Sequence, residues 1–376
     1  MTGLRVGVDL CRIDPSALRP VDHAVLDTIE AAAAVGPDDV ELVLFASRRL
    51  RAARPALFGA FEAHTLPFPP GVAPARLAAE ATWLRAAVRR ARVDLVHDAG
   101  GTSPTRPDVP TIVSVHDLAP FERPRGIGRL RVAHHRHVVP RAVEAASAVT
   151  VPSAFVRDRL VALFGVEEAK VHVVPWPLPP HEEPARIETV RARHGIIGQI
   201  VLLPGSTRAE QEQIVAVRAM RHLAARHETT LVLLGEQGPA ETRVAAEIES
   251  LGLQDRVVRL GSVSPPVRSA LYEHAAVVLH PAVYEGFADA VLEAMACGVP
   301  VVVAAAGAAP ELVGDAGAVI PPGDDAQLAI EVHRVLDDAE WRRRMVAAGL
   351  EQARGHTAPR VAERLLAAYR SVLVSL

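Results

Sequence analysis

Short apolar runs alternate with helical patterns along most of this chain, and this alternation limits the folds that it can adopt. Buried strands separated by helices are typical of a parallel sheet that is covered on both faces. The sequence therefore predicts the α/β class, with doubly wound parallel sheets. The clearest strand candidates are residues 4–10, 40–45, 95–97, 111–116, 148–151, 199–203, 230–234, 257–260, 276–279, 299–304 and 318–320.

The proline-rich segment 175–180 divides this series into two halves. Its sequence, PWPLPP, does not continue a helix or a strand and indicates a linker. A chain of 376 residues suits two domains of roughly 150–200 residues each. We expect one Rossmann-like domain over 1–178, a second over 179–359, and an amphipathic final helix over 360–376.

Composition and charge argue against several classes of protein. A net charge of −3 gives no reason to expect a nucleic acid partner. Two cysteines, Cys11 and Cys297, are too few for a disulfide framework. Without a signal peptide or an apolar run long enough to span a bilayer, a cytoplasmic location is expected. Basic clusters at 48–54, 85–92 and 123–141 fit either a solvated helix surface or contact with an anionic, membrane-bound acceptor.

The segment 279–324 carries two carboxylates eight positions apart, Glu285 and Glu293. Residues 277–279 read as a strand, 284–287 as a loop and 290–296 as a helix. The start of such a helix offers backbone N–H groups and partial positive charge to a phosphate or to sugar hydroxyls. Two glutamates alone would be typical of solvated acids. The flanking sequences YEGF and LEAMACGVPVV make the pattern more specific.

This pattern resembles the E-x7-E region of the family 4 retaining glycosyltransferases, which have the GT-B fold of two Rossmann-like domains facing a central cleft. VHDL at 115–118 and VPSAFVR at 151–157 are similar to the same family. The resemblance implies that Glu285 contacts the donor sugar and Glu293 the nucleotide ribose. It also implies a final helix that packs back on the first domain. The turn expected at the leaving phosphate falls on Gly286, Phe287 and Ala288.

His116 follows a buried strand and is itself followed by an aspartate. An imidazole at this place can donate a hydrogen bond to one sugar hydroxyl and accept one from another. The resemblance places it near the donor sugar. The other interpretation is a structural histidine that holds a loop.

Three stretches depart from the family pattern. After the first strand of the second half, Gly205 matches the family, but Glu210 and Gln211 stand where an arginine–lysine pair would hold the diphosphate. A carboxylate at that place repels a diphosphate, so Arg208 is the candidate cation. The turn after Phe287 adds another acid, Asp289. Residues 12–20 replace the glycine-rich loop expected after the first strand.

The sequence leaves two functions open. The first is a retaining glycosyltransferase of hexosyltransferase type, with Glu285 and His116 as catalytic residues. Its donor would be a nucleotide diphosphate sugar, and its acceptor a small molecule, a glycan or a lipid-linked compound. No cofactor is expected, and no metal, since the chain lacks a D-x-D pair at the end of a strand. The second is a non-catalytic or repurposed relative that serves as partner or regulator of an active glycosyltransferase.

Overall fold

The computed structural model describes residues 3–36, 39–66, 73–100, 109–124, 126–180, 182–224 and 226–374. The chain divides into two compact units. Unit 1 comprises Met1–Pro177 together with Thr357–Leu376, and unit 2 comprises Leu178–His356.

Unit 1 is built on a parallel sheet of seven strands in the order β3-β2-β1-β4-β5-β6-β7. The strands are β1 (Leu4–Asp9), β2 (Val40–Ser47), β3 (Glu62–Leu66), β4 (Leu95–Asp98), β5 (Thr111–Ser114), β6 (Ala148–Val151) and β7 (Val171–Val173). Every strand pair in it is parallel. The strands β4 and β6 are buried along their whole length, because helices cover both sides of such a sheet.

The helices of unit 1 connect these strands, except for the last one. They are α1 (Pro20–Val35), α2 (Arg48–Ala53), α3 (Pro55–Ala60), α4 (Ala73–Ala91), α5 (Ala119–Glu122), α6 (Arg129–Ala145), α7 (Ala154–Phe164) and, from the end of the chain, α16 (Ala358–Val374). The buried residues Leu365, Leu366 and Tyr369 of α16 belong to the same apolar core as Val6 and Leu26. The end of the chain therefore completes one face of unit 1.

Unit 2 is built on a parallel sheet of six strands in the order β10-β9-β8-β11-β12-β13. The strands are β8 (Gln199–Pro204), β9 (Thr229–Leu234), β10 (Val257–Leu260), β11 (Ala275–His280), β12 (Val301–Ala304) and β13 (Ala318–Ile320). The helices are α8 (Ile187–His194), α9 (Gln213–Leu223), α10 (Glu241–Ser250), α11 (Pro265–Glu273), α12 (Asp289–Ala296), α13 (Ala309–Val313), α14 (Asp325–Asp337) and α15 (Ala339–Arg354).

Each sheet has a point at which the strand order reverses direction. It lies between β1 and β4 in unit 1, and between β8 and β11 in unit 2. In open α/β sheets, ligands bind in the crevice outside the carboxyl ends of the strands at this switch point. A ligand-binding site is therefore expected at the loops that follow these four strands.

The predicted α/β class with doubly wound parallel sheets is confirmed. Two strands were missed, β3 and β7, and both lie at an edge of the sheet in unit 1. The sequence of β3 is EAHTL, and most of its residues are partly or fully exposed. A continuous apolar run predicts a strand that is buried on both faces. An edge strand is covered on fewer sides and therefore does not need such a run.

Candidate functional site

Two glycines bring the loops after β8 and β9 together at the switch point of unit 2. Gly205 has φ +123° and Gly235 has φ +150°. A Cβ atom on Gly235 would lie 2.4 Å from the carbonyl oxygen of Gly205. Glycine is required at 235 because the backbones approach this closely and because φ is in the left-handed region. The predicted site residue Gly205 thus follows β8 directly, at the carboxyl edge of the sheet.

Glu285 lies on the loop after β11, on the other side of the same switch point. Gln211 Nε2 donates a hydrogen bond to Glu285 Oε2 at 2.9 Å. The backbone N–H of Val283 donates to the carbonyl oxygen of Glu210 at 2.8 Å. The two loops are therefore joined by one side-chain bond and one backbone bond. Gln211, which sequence reasoning treated only as the loss of a cation, holds the glutamate that is predicted to contact the sugar.

The backbone of Glu285 is held from a second direction by the turn after β12. Gly307 has φ +63°, and a Cβ atom on it would lie 2.7 Å from the backbone nitrogen of Glu285. The N–H of Ala308 donates to the carbonyl oxygen of Glu285 at 3.0 Å. Loop residues fixed on both sides in this way are preorganised for binding.

A buried histidine ends β11 beside this glutamate. His280 is 4% exposed, and its Nε2 has no hydrogen-bond partner among the residues that the structure describes. The Nε2 atom lies 3.9 Å from Glu285 Oε2. Burial lowers the pKa of His280 to about 4, so the ring is neutral near pH 7 and forms no ion pair. An unpartnered buried polar atom at this place is satisfied by a water molecule or a ligand.

Glu293 is held by an arginine that sequence reasoning missed. Arg268 on α11 donates through Nη1 to Glu293 Oε1 at 2.5 Å, and its Nη2 also contacts the other carboxylate oxygen. The guanidinium lies over the ring of Tyr272, 5.2 Å from its centroid. The two residues are 25 positions apart. No sequence motif signalled this pair, because α11 and α12 meet only in the folded unit.

The added acid Asp289 begins α12, near the same arginine. Its Oδ1 accepts a hydrogen bond from the N–H of Ala290 at 2.8 Å. Burial raises the pKa of Asp289, while the charge of Arg268 opposes the shift. The charge of Asp289, an acid that the family's turn lacks, is therefore partly balanced by Arg268 and by the start of α12.

Burial raises the pKa of Glu293 to about 7, even though Arg268 favours the charged form. Below its ordinary pKa of about 4.5 the carboxyl group is protonated in both the folded and the unfolded state, and the fold retains the proton up to about pH 7. The stabilisation is therefore complete at acid pH and is lost as the pH rises through this window, by about 2–3 kcal/mol in the free energy of unfolding. We expect urea unfolding at pH 5 and pH 8 to show this loss for the wild type relative to Glu293→Gln. An equal pH dependence in both proteins would contradict it.

The remaining predicted residues of unit 2 form the turn between Glu285 and α12. Gly286 is buried, and Phe287 is buried with its ring 6.1 Å from that of His356. The carbonyl oxygen of Ala288 accepts hydrogen bonds from Val291 and Leu292, at 3.0 and 3.2 Å, and so begins the helix. The turn lies at the carboxyl edge of the sheet.

Arg208 is the cation on the loop after β8. Its side chain is 62% exposed, and its Nη1 lies 3.9 Å from Glu210 Oε1. An exposed arginine at such a distance from its partner loses little by turning toward another anion. The side chain can thus turn toward other groups, and its role as the substitute cation stays a prediction.

The predicted residue His116 belongs to unit 1 and has both ring nitrogens engaged there. Its Nε2 donates to the carbonyl oxygen of Ala99 at 3.0 Å, and Trp176 Nε1 donates to its Nδ1 over a long 3.4 Å. Burial lowers the pKa of His116, which keeps the ring neutral. A sugar hydroxyl would have to replace the weak contact with the indole, since the contact with the carbonyl oxygen holds the ring in place.

A chain of hydrogen bonds behind His116 ties α16 to the sheet. His97 contacts the Tyr369 hydroxyl through Nδ1 and the Ser114 hydroxyl through Nε2, both at 2.8 Å. Ser114 Oγ lies 2.7 Å from Thr150 Oγ1. A cavity of about 40 Å³ borders His97, Ser114 and Thr150 as well as His116 and Trp176. Polar atoms in a space of this size are well suited to ordered water.

Two acids face each other at the switch point of unit 1, and the sequence analysis did not find them. Asp9 and Asp98 are paired in register at the ends of β1 and β4. Each accepts a backbone N–H bond at 3.0 Å, Asp9 from Cys11 and Asp98 from Gly100. Burial and the charge of Asp98 raise the pKa of Asp9 to about 6. Their proximity follows from the strand order, which places β4 beside β1 although 85 residues separate the two strands in sequence.

Comparison with known proteins matches both units to one family. The model of Glycosyltransferase Family 4 matches residues 23–181, and that of Glycosyl transferases group 1 matches residues 188–352. O-antigen chain mannosyltransferase B of Escherichia coli is 27% identical over 250 residues, which is 65% of this chain and 65% of that protein. D-inositol 3-phosphate glycosyltransferase of Xylanimonas cellulosilytica is 31% identical over 306 residues, 72% of this chain and 70% of that protein.

The fold has solved counterparts as well. Anabaena HepE, in complex with UDP and glucose, superposes with a TM-score of 0.72 at 20% identity, covering 99% of this chain and 100% of that one. Among the described residues, no helix is both long and apolar enough to cross a membrane. With both units matched by family models and a relative aligned over more than two thirds of each chain, this chain belongs to the family 4 glycosyltransferases of the GT-B fold.

Proposed function

We propose that this chain is a retaining glycosyltransferase that transfers a sugar from a nucleotide diphosphate sugar to an acceptor hydroxyl. The observation that carries the proposal is the position of Glu285 at the switch point of unit 2, where Gln211 joins it to the loop after β8. The unpartnered Nε2 of His280 beside it adds a reason to expect a bound group there.

The donor would lie at the carboxyl edge of unit 2. Glu285 would accept hydrogen bonds from hydroxyls of the donor sugar, and Glu293 from those of the ribose. Arg208 would face the diphosphate in place of the absent basic pair, assisted by backbone N–H groups at the start of α12. His116, which the resemblance to the family assigns to the donor sugar, would act as a neutral ring. These roles are proposals that rest on the geometry of each unit and on membership of the family.

In the proposed reaction, the acceptor oxygen attacks the anomeric carbon on the face that the leaving diphosphate vacates. The new carbon–oxygen bond forms as the bond to the phosphate oxygen breaks, and the departing phosphate takes the proton of the acceptor hydroxyl. The anomeric configuration is retained, and no strong base is required. The chain's own contribution is to position the reactants and to stabilise charge. No divalent ion or cofactor takes part in this scheme.

The acceptor is proposed as a class only: a small molecule, a glycan or a lipid-linked compound. The relative from Xylanimonas cellulosilytica is named for D-inositol 3-phosphate, and the one from Escherichia coli for an O-antigen chain. Those names differ in acceptor class, so they support the reaction type more than any one acceptor.

Specific observations also favour a non-catalytic relative as the second candidate. Glu210 occupies the loop after β8, and Asp289 begins α12, where a diphosphate would meet cations and backbone amides. A chain that had lost diphosphate binding would keep the fold and could serve as partner or regulator of an active glycosyltransferase.

A nucleotide screen separates these two candidates. We expect one of UDP, GDP or dTDP, at about a hundred times its Kd, to stabilise the protein by about 2.7 kcal/mol, or by roughly 5–10 °C in Tm. Glu293→Ala should weaken binding of that nucleotide about tenfold to a hundredfold, because charge-assisted hydrogen bonds to the ribose are lost. Calorimetry measures the affinity, and Glu249→Ala on the exposed face of α10 serves as the control. A wild type that binds none of the three and transfers no sugar supports the second candidate.

A further inference from the structure

Three metal-ligating side chains meet in unit 2, outside the site described above. They are His227, on the segment between α9 and β9, and His333 and Asp337, in the last two turns of α14. One ligand atom of each residue lies within 4.8 Å of those of the other two. His333 and Asp337 are four positions apart, so both side chains lie on one face of the helix.

The distances between these ligand atoms fit a tetrahedral zinc ion. His227 Nε2 lies 2.9 Å from His333 Nδ1 and 3.6 Å from Asp337 Oδ1. Two ligands at the usual Zn–N distance of about 2.0–2.1 Å are about 3.3 Å apart at a tetrahedral angle. The distance between the two histidines has to increase, and that between His227 and Asp337 has to decrease, each by a few tenths of an ångström. The third pair of ligand atoms, those of His333 and Asp337, lies within 4.8 Å.

The elements that carry the three ligands are held in place independently of them. The N–H of His227 donates to the carbonyl oxygen of Leu223 at 3.0 Å, which continues the end of α9. Arg342 Nη1 contacts the carbonyl oxygen of Val335 at 3.2 Å near the end of α14. The two imidazole rings lie with their centroids 5.0 Å apart. The ligand set is therefore preorganised by the fold.

A carboxylate and a helix end supply negative charge at this place, while the nearby Arg226 supplies a positive charge. Asp337 is the last residue of α14, where the carbonyl groups give the helix end partial negative charge. Arg226 contacts Asp337 through the other carboxylate oxygen, Oδ2, at 3.1 Å and leaves Oδ1 toward the histidines. A hydrogen bond to the carboxylate oxygen that faces away from the metal orients such a ligand.

We propose that His227, His333 and Asp337 bind one Zn²⁺, with a water molecule as the fourth ligand. Two imidazoles and one carboxylate are ligands that zinc accepts, and an exposed Asp337 leaves the fourth position open to solvent. The competing arrangement is the direct hydrogen bond between the two rings, which holds the same atoms without metal.

The zinc ion would have a structural role. His227 precedes β9 by two positions, and α14 runs away from the carboxyl end of β13, so the three ligands lie at the amino edge of the sheet. Glu285 lies at the carboxyl edge. The ion would clamp the segment after α9 to α14, and its removal should lower stability while leaving sugar transfer unchanged. The proposal therefore does not rest on the proposed function.

The test uses the full chain without an affinity tag, freed of metal by EDTA and titrated with ZnCl₂ by calorimetry. We expect one Zn²⁺ per chain, and a visible absorption band typical of tetrahedral coordination when Co²⁺ replaces it. His333→Ala and the milder Asp337→Asn should each weaken zinc binding by more than the roughly 10–100-fold that loss of an outer-shell partner costs. His222→Ala, a neighbouring histidine on α9 outside the triplet, is the matched control and should bind as the wild type does.

Two results would overturn the proposal. One is a wild type that binds no stoichiometric zinc. The other is zinc binding of the same affinity in the wild type, in His333→Ala and in Asp337→Asn, which would assign the metal to other histidines of the chain. Circular dichroism of each variant shows that the fold is retained, and the conservative Asp337→Asn keeps the test valid if His333→Ala does not fold.

Discussion

Glu285→Gln should reduce sugar transfer by about a hundredfold to a thousandfold while leaving the affinity for free nucleotide nearly unchanged. The substitution removes the charge but keeps the size, and the oxygen of the new amide can still accept the bond from Gln211. The loop therefore keeps its geometry. What is lost is the charge-assisted contact with the donor sugar and with the positive charge that develops on it during transfer.

The measurement is the rate of transfer at saturating donor, with calorimetry for the free nucleoside diphosphate. Glu293→Gln is the matched comparison, since it makes the same glutamate-to-glutamine change eight residues along the chain and should act mainly on nucleotide affinity. A Glu285→Gln enzyme with the turnover of the wild type would remove Glu285 from the proposed machinery. Equal losses of nucleotide affinity in both variants would show that the two glutamates do not have separate roles.

The sequence predicted those helices and strands whose own residues show a clear hydrophobic pattern. Central strands such as β8 and β11 are apolar along their length because helices cover both faces, so periodicity identifies them. The three residues of β7 and the polar β3 carry no such signal. The position of Glu285 could be predicted as well, because it lies on the loop after a buried strand. In a parallel sheet such a loop lies at the carboxyl edge.

The hydrogen-bond partners of the predicted site residues could not be predicted from the sequence. Gln211 and Glu285 are 74 positions apart and Arg268 and Glu293 are 25 apart, so neither pair has a local pattern. The same holds for His227 and His333, which are 106 apart. Strand order decides such contacts, and the order depends on packing of the whole unit. Gln211 shows the consequence: its position suggested a lost cation, and the structure adds a hydrogen bond that orients Glu285.

The hydrogen bond from Gln211 to Glu285 also changes the effect that we expect from restoring the basic pair at positions 210 and 211. A lysine at 211 would lie beside Glu285 and would form an ion pair with it, so much of its charge would not reach a diphosphate. Glu210→Arg changes the charge by two units next to Arg208 and has no such partner at its side chain. We therefore expect most of any gain in nucleoside diphosphate affinity in the double variant Glu210→Arg with Gln211→Lys to come from position 210.

Arg208→Ala is expected to lower turnover by about a hundredfold, because a charge-assisted contact with the leaving diphosphate is worth roughly 1.5–3 kcal/mol and strengthens as the charge on that group grows. Arg193→Ala removes the same charge from the exposed end of α8, at the amino edge of the sheet, and should have no effect on transfer. An enzyme that uses Arg208 in this way gains little from Glu210→Arg with Gln211→Lys. A marked gain in diphosphate affinity in that double variant, in a protein whose wild type transfers no sugar, would instead identify a non-catalytic relative. Unchanged turnover in Arg208→Ala would exclude Arg208 as the substitute cation, and the arginine beside Glu293 would then be the next residue to replace.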